Sequence, residues 1–118
     1  MINIENILNK LKVELEAGLP FMEGRTKGDI LEGVQYTVIN FGTLHGDDGE
    51  YVVFITKEDD TKFFFGGQVI TEKLVKISNL LKIEELNAVL ENGNIKVTFE
   101  SKKSNKGRIY LDASIKFE

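Results

Sequence analysis

The side chains with the clearest chemical potential in this chain are cations near its C-terminus and aromatic rings in its second half. Cations follow phosphate groups and flat rings stack on unpaired bases, so the combination suits a single-stranded nucleic acid. Residues 95–117 hold six Lys or Arg and two Asp or Glu, a net +4, whereas the whole chain carries −4. The candidate cations are Lys102, Lys103, Lys106, Arg108 and Lys116, and the candidate stacking rings are Tyr110, Tyr51, Phe63 and Phe65.

Catalytic and metal-binding chemistry has few candidates. His45 is the single histidine and the chain has no cysteine, so a Cys–His nucleophile, a disulfide and a thiolate metal site are excluded. The stretch 47–50 (DDGE) lacks the alternating carboxylates of a calcium loop, and Gly66-Gly67 is not followed by the Lys-Ser or Lys-Thr of a P-loop. We therefore predict a protein that is not an enzyme and that uses no metal or cofactor, with these stretches forming turns.

Three stretches have helical spacing of apolar residues. Residues 3–17 predict an amphipathic N-terminal helix, placed within 1–18 because Gly18 is a suitable stop. The apolar stretch 19–22 contains Pro20 and is expected to tuck against the body as a loop. Residues 69–82 and a shorter stretch ending at Asn92-Gly93 predict a helical insertion in the second half of the chain.

Five stretches predict β-strands. Residues 34–44 are β-rich, and the apolar alternation slips by one residue at Val38-Ile39, which indicates a bulge or a sharp bend. Residues 51–56 are apolar on both faces, as in a central strand, and 62–65 form a short third strand. Residues 95–117 contain two alternating runs joined by a lysine-rich turn that ends in a glycine, which predicts an antiparallel hairpin with one wet face.

Five antiparallel strands with a helix between the third and the fourth is the order of the OB-fold barrel. We therefore predict a single OB-fold-like domain over residues 1–118, with the five-stranded barrel over 33–117 and the bent first strand serving both halves of the sheet. The alternative is an open α+β sheet with the helices on one face.

In an OB fold the lysine-rich turn is one of the loops that grip oligonucleotides, which favours non-enzymatic binding of single-stranded DNA, or RNA, with low sequence specificity. Two other roles for these side chains compete with this interpretation, and one feature of the chain counts against it. A lysine-rich hairpin tip also protects against aggregation, and the aromatic rings could be core residues. The acidic turn 47–50 is expected to border the same groove and repel phosphates. The alternative function is a protein–protein module that acts through Phe21, Met22 and the acidic loops.

Location and assembly are weakly constrained by the sequence. No apolar run approaches the roughly 20 residues that span a bilayer, and the first residues lack the basic and apolar regions of a signal peptide. A cytoplasmic protein without a membrane partner is the expectation. Nothing in the sequence predicts an oligomeric state.

Four segments carry a resemblance to a known group of proteins. They are residues 19–25 (LPFMEGR), 46–54 (GDDGEYVVF), 64–71 (FFGGQVIT) and the lysine-rich turn that leads into 107–110 (GRIY). In these segments the chain resembles small proteins encoded by phages and prophages of Gram-positive bacteria and described as single-stranded DNA-binding. The resemblance implies an OB-like fold, a bacterial host cell as location, and a role in phage replication or recombination beside phage or host replication proteins.

Overall fold

The structure is a computed structural model that describes residues 4–7, 19–47 and 49–118, and the fold is mainly β. One turn of 3₁₀ helix spans Pro20–Met22. Within these described ranges the sheet has six strands, in the order β1-β4-β3-β2-β5-β6. Its strands are β1 (Thr26–Lys27), β2 (Gln35–Gly46), β3 (Gly49–Thr56), β4 (Lys62–Phe65), β5 (Ile95–Lys103) and β6 (Ile109–Phe117). The helices α1 (Gln68–Leu80) and α2 (Ile83–Glu91) are inserted between β4 and β5.

Several predicted elements fall where the sequence places them, and one lies outside the description. The helical insertion, the terminal hairpin and the short strand at residues 62–65 are confirmed. The predicted N-terminal helix over residues 3–17 lies mostly outside the described residues, of which 4–7 are helical and exposed. The strand β1 was not predicted, because two residues in a polar stretch show no alternation; they pair in parallel with β4.

The long strand β2 connects the two halves of the sheet. Its first residues, Gln35–Thr37, pair with β5, and the stretch from Val38 to Gly46 pairs with β3. The register shifts between Val38 and Asn40, which confirms the irregularity predicted from the slipped alternation. The extra residue bends the strand, so one strand pairs with β5 through its first residues and with β3 through the rest.

The backbone N–H of Thr37, at the bend, is buried and takes a side chain as its hydrogen-bond partner. Thr37 is 2% exposed, and its N–H donates to Oε1 of Glu58 at 2.6 Å while its hydroxyl donates to Oε2 at 2.7 Å. Lys96 Nζ donates to the same hydroxyl oxygen at 3.1 Å. Although partial burial alone would raise the pKa of Glu58, the hydrogen bonds from Thr37 and the charge of Lys96 hold it below its ordinary value.

The closed barrel predicted from the sequence is wrong, because the sheet is open. In the described residues β4 and β6 do not pair with each other, and part of the outer edge of each has another partner. The two residues of β1 take the outer edge of β4, and the ammonium of Lys73 on α1 donates to the carbonyl oxygen of Ala113 on β6. These contacts satisfy backbone groups that closure would otherwise join, so the alternative of an open sheet with helices describes the fold better.

The core lies on the face of the bent sheet that α1 and α2 cover. Phe54 on β3 stacks on Phe64 of β4 at a centroid distance of 5.4 Å and on Phe99 of β5 at 5.9 Å, so one row of rings joins both halves. Helices α1 and α2 close this face with Ile70, Leu74, Leu86 and Leu90. The alternate side chains of β3 and β4 lie on the opposite face, where Val53 and Ile55 are also buried.

Replacing Glu58 with alanine should destabilise the protein at neutral pH. The buried N–H of Thr37 loses a charged acceptor, so the free energy of unfolding should fall by about 1–2 kcal/mol in urea denaturation at pH 7. Because the pKa of Glu58 is lowered on folding, its contribution is present above the unfolded pKa and is lost as pH falls through the folded pKa. The difference between wild type and Glu58→Ala should therefore shrink in acid.

The matched control is Asp60→Ala, which removes an exposed carboxylate from the same turn. Its free energy of unfolding should stay within about 0.5 kcal/mol of wild type. Equal destabilisation by both variants, or a Glu58→Ala effect that persists in acid, would contradict the assigned role of this carboxylate.

Candidate nucleic-acid interface

Three of the predicted rings form a contiguous row on the outer face of β3 and β4. The register pairs Val53 with Phe65, so successive residues alternate between this face and the core. The centroid of Phe65 lies 5.6 Å from that of Tyr51 and 5.4 Å from that of Phe63. All three rings are half-buried, which leaves part of each exposed. We call Tyr51, Phe63 and Phe65 the aromatic row.

The aromatic row carries a cation that sequence reasoning missed. Lys27 on β1 lies opposite Phe63 in the parallel pairing, and its Nζ is 5.2 Å from the centroid of Phe65. This distance is within the range of a cation–π contact. The neighbouring Gly28 allows the approach, because a Cβ at that position would come within 2.7 Å of Cε1 of Phe64. Nothing in the residue pattern of this polar stretch predicts a strand, so Lys27 was not a candidate.

The rest of this outer face is covered from the N-terminal side. A Cβ on Gly42 would lie 2.9 Å from Cδ1 of Leu19, so the start of the 19–22 loop packs closely over β2. The loop is held by Arg25, whose Nη1 donates to the carbonyl oxygen of Phe21 at 2.7 Å. Phe21 and Met22 are half-buried. The loop therefore tucks against the sheet, as the sequence predicts.

The predicted cations divide between the two faces of the β5–β6 hairpin. Lys102 lies opposite Tyr110 and Lys96 lies opposite Lys116, so these four side chains share the outer face. Lys103 lies opposite Ile109 on the other face. Tyr110 is 41% exposed, so an uncovered ring does stand beside a predicted cation.

One of the hairpin cations is paired within the chain. Lys102 Nζ lies 2.5 Å from Oδ2 of Asp112, and the hydrogen bond raises the pKa of Lys102 and lowers that of Asp112. Among the described residues, Lys103, Lys106 and Arg108 form no ion pair. Their charges therefore remain available for a phosphate.

The turn that presents these cations has a defined geometry. Ser104 N–H donates to the carbonyl oxygen of Arg108 at 2.8 Å, and Gly107 N–H donates to that of Ser104 at 2.9 Å. The φ angle of Gly107 is +79°, a conformation that disfavours residues with a Cβ. The turn therefore depends on glycine at this position to hold Lys106 and Arg108 on either side of it.

The acidic turn does not border the lysine-rich turn, and the expectation that it would is wrong. In the antiparallel pairing of β2 with β5, Thr37 lies opposite Lys96 and Gln35 lies opposite Thr98. Strand β5 therefore continues past the start of β2, and the lysine-rich turn lies beyond that end. The acidic turn follows Gly46 at the last residue of β2. The two turns consequently lie at opposite ends of β2, and the repulsion of phosphates applies only near the Tyr51 end of the aromatic row.

The acidic end contains a cleft of about 650 Å³ between the β2–β3 turn and the first turn of α1. Carboxylates of Asp47, Glu50 and Glu72 line it, together with Tyr51 and Thr71. Glu72 was not a candidate, because it lies more than twenty residues from the acidic turn and only the reversal at Gly66-Gly67 brings the helix back. Sequence reasoning therefore missed this cleft.

Of the groups considered for catalysis or metal binding, Asp47, Glu50 and the Gly66-Gly67 pair line this cleft together. His45 is exposed near the end of β2, where it lies opposite Glu50. Within residues 4–7, 19–47 and 49–118, no group of three or more His, Cys, Asp or Glu side chains is arranged to hold a metal ion. Over the same ranges, no helix is long and apolar enough to cross a membrane.

Comparison with known proteins leaves the surface geometry as the main guide to function. No protein-family model, no curated protein and no solved structure matches this chain. Function must therefore be inferred from the aromatic row, from Lys27 and from the cationic hairpin.

Replacing Gly107 with alanine should disorder the lysine-rich turn. Because alanine disfavours a φ of +79°, the variant should lose about 1 kcal/mol of unfolding free energy, and the amide protons of the hairpin tip should exchange faster. Gly107→Asn is the control, since asparagine tolerates this conformation. If alanine and asparagine behaved alike, the turn would not depend on the left-handed conformation.

Proposed function

We propose that this protein binds single-stranded DNA without catalysis and with low sequence specificity. The observation that carries the proposal is the aromatic row, whose rings are 5.4 and 5.6 Å apart outside the core and have the ammonium of Lys27 over the central ring. Bases of any sequence can stack on such rings, because every base has a π-face. A row of rings also explains why three large aromatic side chains are left only half-buried.

The hairpin supplies the electrostatic part of the proposed site. Lys103, Lys106 and Arg108 offer charges to the phosphates, with Lys102 and Lys116 on the outer face and Tyr110 as an additional stacking ring. The negative charge of the rest of the chain would restrict the nucleic acid to this region, since phosphates are repelled elsewhere.

We further propose that strands β2 to β6 are an OB-like arrangement whose seam is open. Five antiparallel strands follow one another in that order, the bent β2 serves both halves, and helices separate the third strand from the fourth. With the resemblance of segments such as 46–54 and 64–71 to phage and prophage proteins, this supports a role in phage replication or recombination in the bacterial cytoplasm. Phage or host replication proteins are further partners in this proposal.

The second candidate is a protein–protein module acting on a host protein, which the acidic cleft favours. The carboxylates of Asp47, Glu50 and Glu72 line this cleft and would attract a Lys or Arg side chain of a basic partner. Phe21 and Met22, also considered for this role, are half-buried against the body. This candidate predicts no binding of an oligonucleotide even at low salt.

Fluorescence anisotropy with labelled oligothymidine tests the first proposal. If four or five cations engage phosphates, log affinity should fall with log salt at a slope of about −3, since each contact contributes about −0.7. The double variant Lys103→Gln, Lys106→Gln should reduce the slope by roughly 1.4. An oligouridine of equal length measures whether RNA binds as well. Absence of binding at low salt, or an affinity independent of salt, would refute the proposal.

Removing a ring tests the aromatic row separately from the charges. Phe65→Leu should weaken oligothymidine binding by about 1–3 kcal/mol, because the central stacking surface and the contact of Lys27 are lost. Tyr110→Ala should lose a similar amount if that ring also stacks a base. Phe117→Leu is the matched control, since Phe117 is 66% exposed at the far end of β6. Equal affinities for Phe65→Leu and Phe117→Leu would exclude stacking on the row.

A further inference from the structure

The backbone of β6 has an open edge whose extent follows from its hydrogen bonding. At one end of the hairpin Ser104 bonds to Arg108, and at the other Glu118 bonds to Asn94. Hydrogen-bonded and non-hydrogen-bonded pairs alternate along an antiparallel ladder, so the even-numbered residues of β6 bond to β5. The odd-numbered residues point their N–H and C=O groups away from β5: Ile109, Leu111, Ala113, Ile115 and Phe117.

The middle of this edge is already occupied. The carbonyl oxygen of Ala113 accepts from Lys73 Nζ at 2.5 Å, and its N–H donates to Oδ1 of Asp112 at 3.0 Å. In the described part of the chain the outward backbone groups of Ile109 and Leu111 have no partner. The side chain of Ile109 is also 78% exposed. We call Ile109–Leu111 the open edge.

Charge determines which occupant fits the open edge. Two copies aligned antiparallel about Tyr110 place Ile109 of each opposite Leu111 of the other, where their outward backbone groups can bond. On the outer face this register sets Arg108 opposite Asp112 of the second copy, so Arg108 joins a carboxylate that already pairs with Lys102 of its own chain. The same register sets Tyr110 opposite its own equivalent. A register centred on Asp112 would instead oppose two carboxylates, and it would need the occupied edge of Ala113.

We propose that two copies of this protein pair through their open edges, with Arg108 of each opposite Asp112 of the other. The pairing buries Ile109 against Leu111 of the second copy and joins the two hairpins into one sheet. It also brings Lys102 and Tyr110 of both copies into a single row on the outer face. The proposal concerns the protein alone and does not depend on the proposed function.

Sedimentation equilibrium without nucleic acid tests this pairing through its charges. The wild type should show a concentration-dependent dimer of twice the 13.3 kDa chain mass. Arg108→Glu and Asp112→Arg should each raise the dimer dissociation constant by about tenfold or more, because each sets like charges opposite one another. A mixture of the two variants should form a heterodimer, since Glu then faces Arg and Asp faces Arg. Lys57→Glu makes the same charge change as Arg108→Glu on an exposed turn and should dimerise like wild type.

A second variant tests the backbone pairing. Ile109→Pro removes an N–H that points away from β5, so the hairpin keeps its own hydrogen bonds while the dimer loses bonds; Ile109→Thr keeps that N–H. Proline should weaken dimerisation more than threonine, with both variants folded by circular dichroism. The proposal would be overturned by a wild type that stays monomeric up to about 1 mM, a concentration at which even a weak dimer is populated. Charge variants that dimerise like wild type, or a mixture that stays monomeric, would also overturn it.

Discussion

The bend in β2 holds the two halves of the sheet together. Without the irregularity between Val38 and Asn40, one strand could not pair with both β3 and β5. At the bend the N–H of Thr37 is buried, and the carboxylate of Glu58 in the β3–β4 turn accepts a hydrogen bond from it. Because Lys96 on β5 bonds to the hydroxyl of Thr37, the carboxylate, the bend and both halves of the sheet belong to one network.

Core and surface separate because of this geometry. The face covered by the helices holds the row Phe64–Phe54–Phe99, and the opposite face of β3 and β4 holds Tyr51, Phe63 and Phe65. Burial of apolar area stabilises the first set, whereas the second set remains partly in water at a cost in stability. The proposed function accounts for this cost, because rings that stack on a ligand must remain accessible to it. The hairpin extends from the other half of the sheet, so β2 also determines where its cations stand.

Local patterns in the sequence predict the strands and helices well, but not the contacts between distant segments. The slip at Val38-Ile39 is visible because alternation has a period of two, and the glycine of the lysine-rich turn has a local conformational reason. The open seam was not predictable, because it depends on β1 and on the reach of Lys73 to Ala113, contacts that no periodicity records. For the same reason Lys27 and Glu72 were missed. By contrast, the placement of Lys102 and Lys103 on opposite faces of the hairpin follows directly from strand alternation.

In the proposed complex, single-stranded DNA lies across the aromatic row and reaches the cationic hairpin. The most direct measurement is a titration of isotope-labelled protein with oligothymidine, followed by NMR of backbone amides and aromatic ring protons. If DNA binds in this way, the largest shifts should fall on Tyr51, Phe63, Phe65 and Lys27, and on the turn from Lys103 to Tyr110. Shifts confined to the acidic cleft around Glu72, or no shifts at low salt, would contradict it.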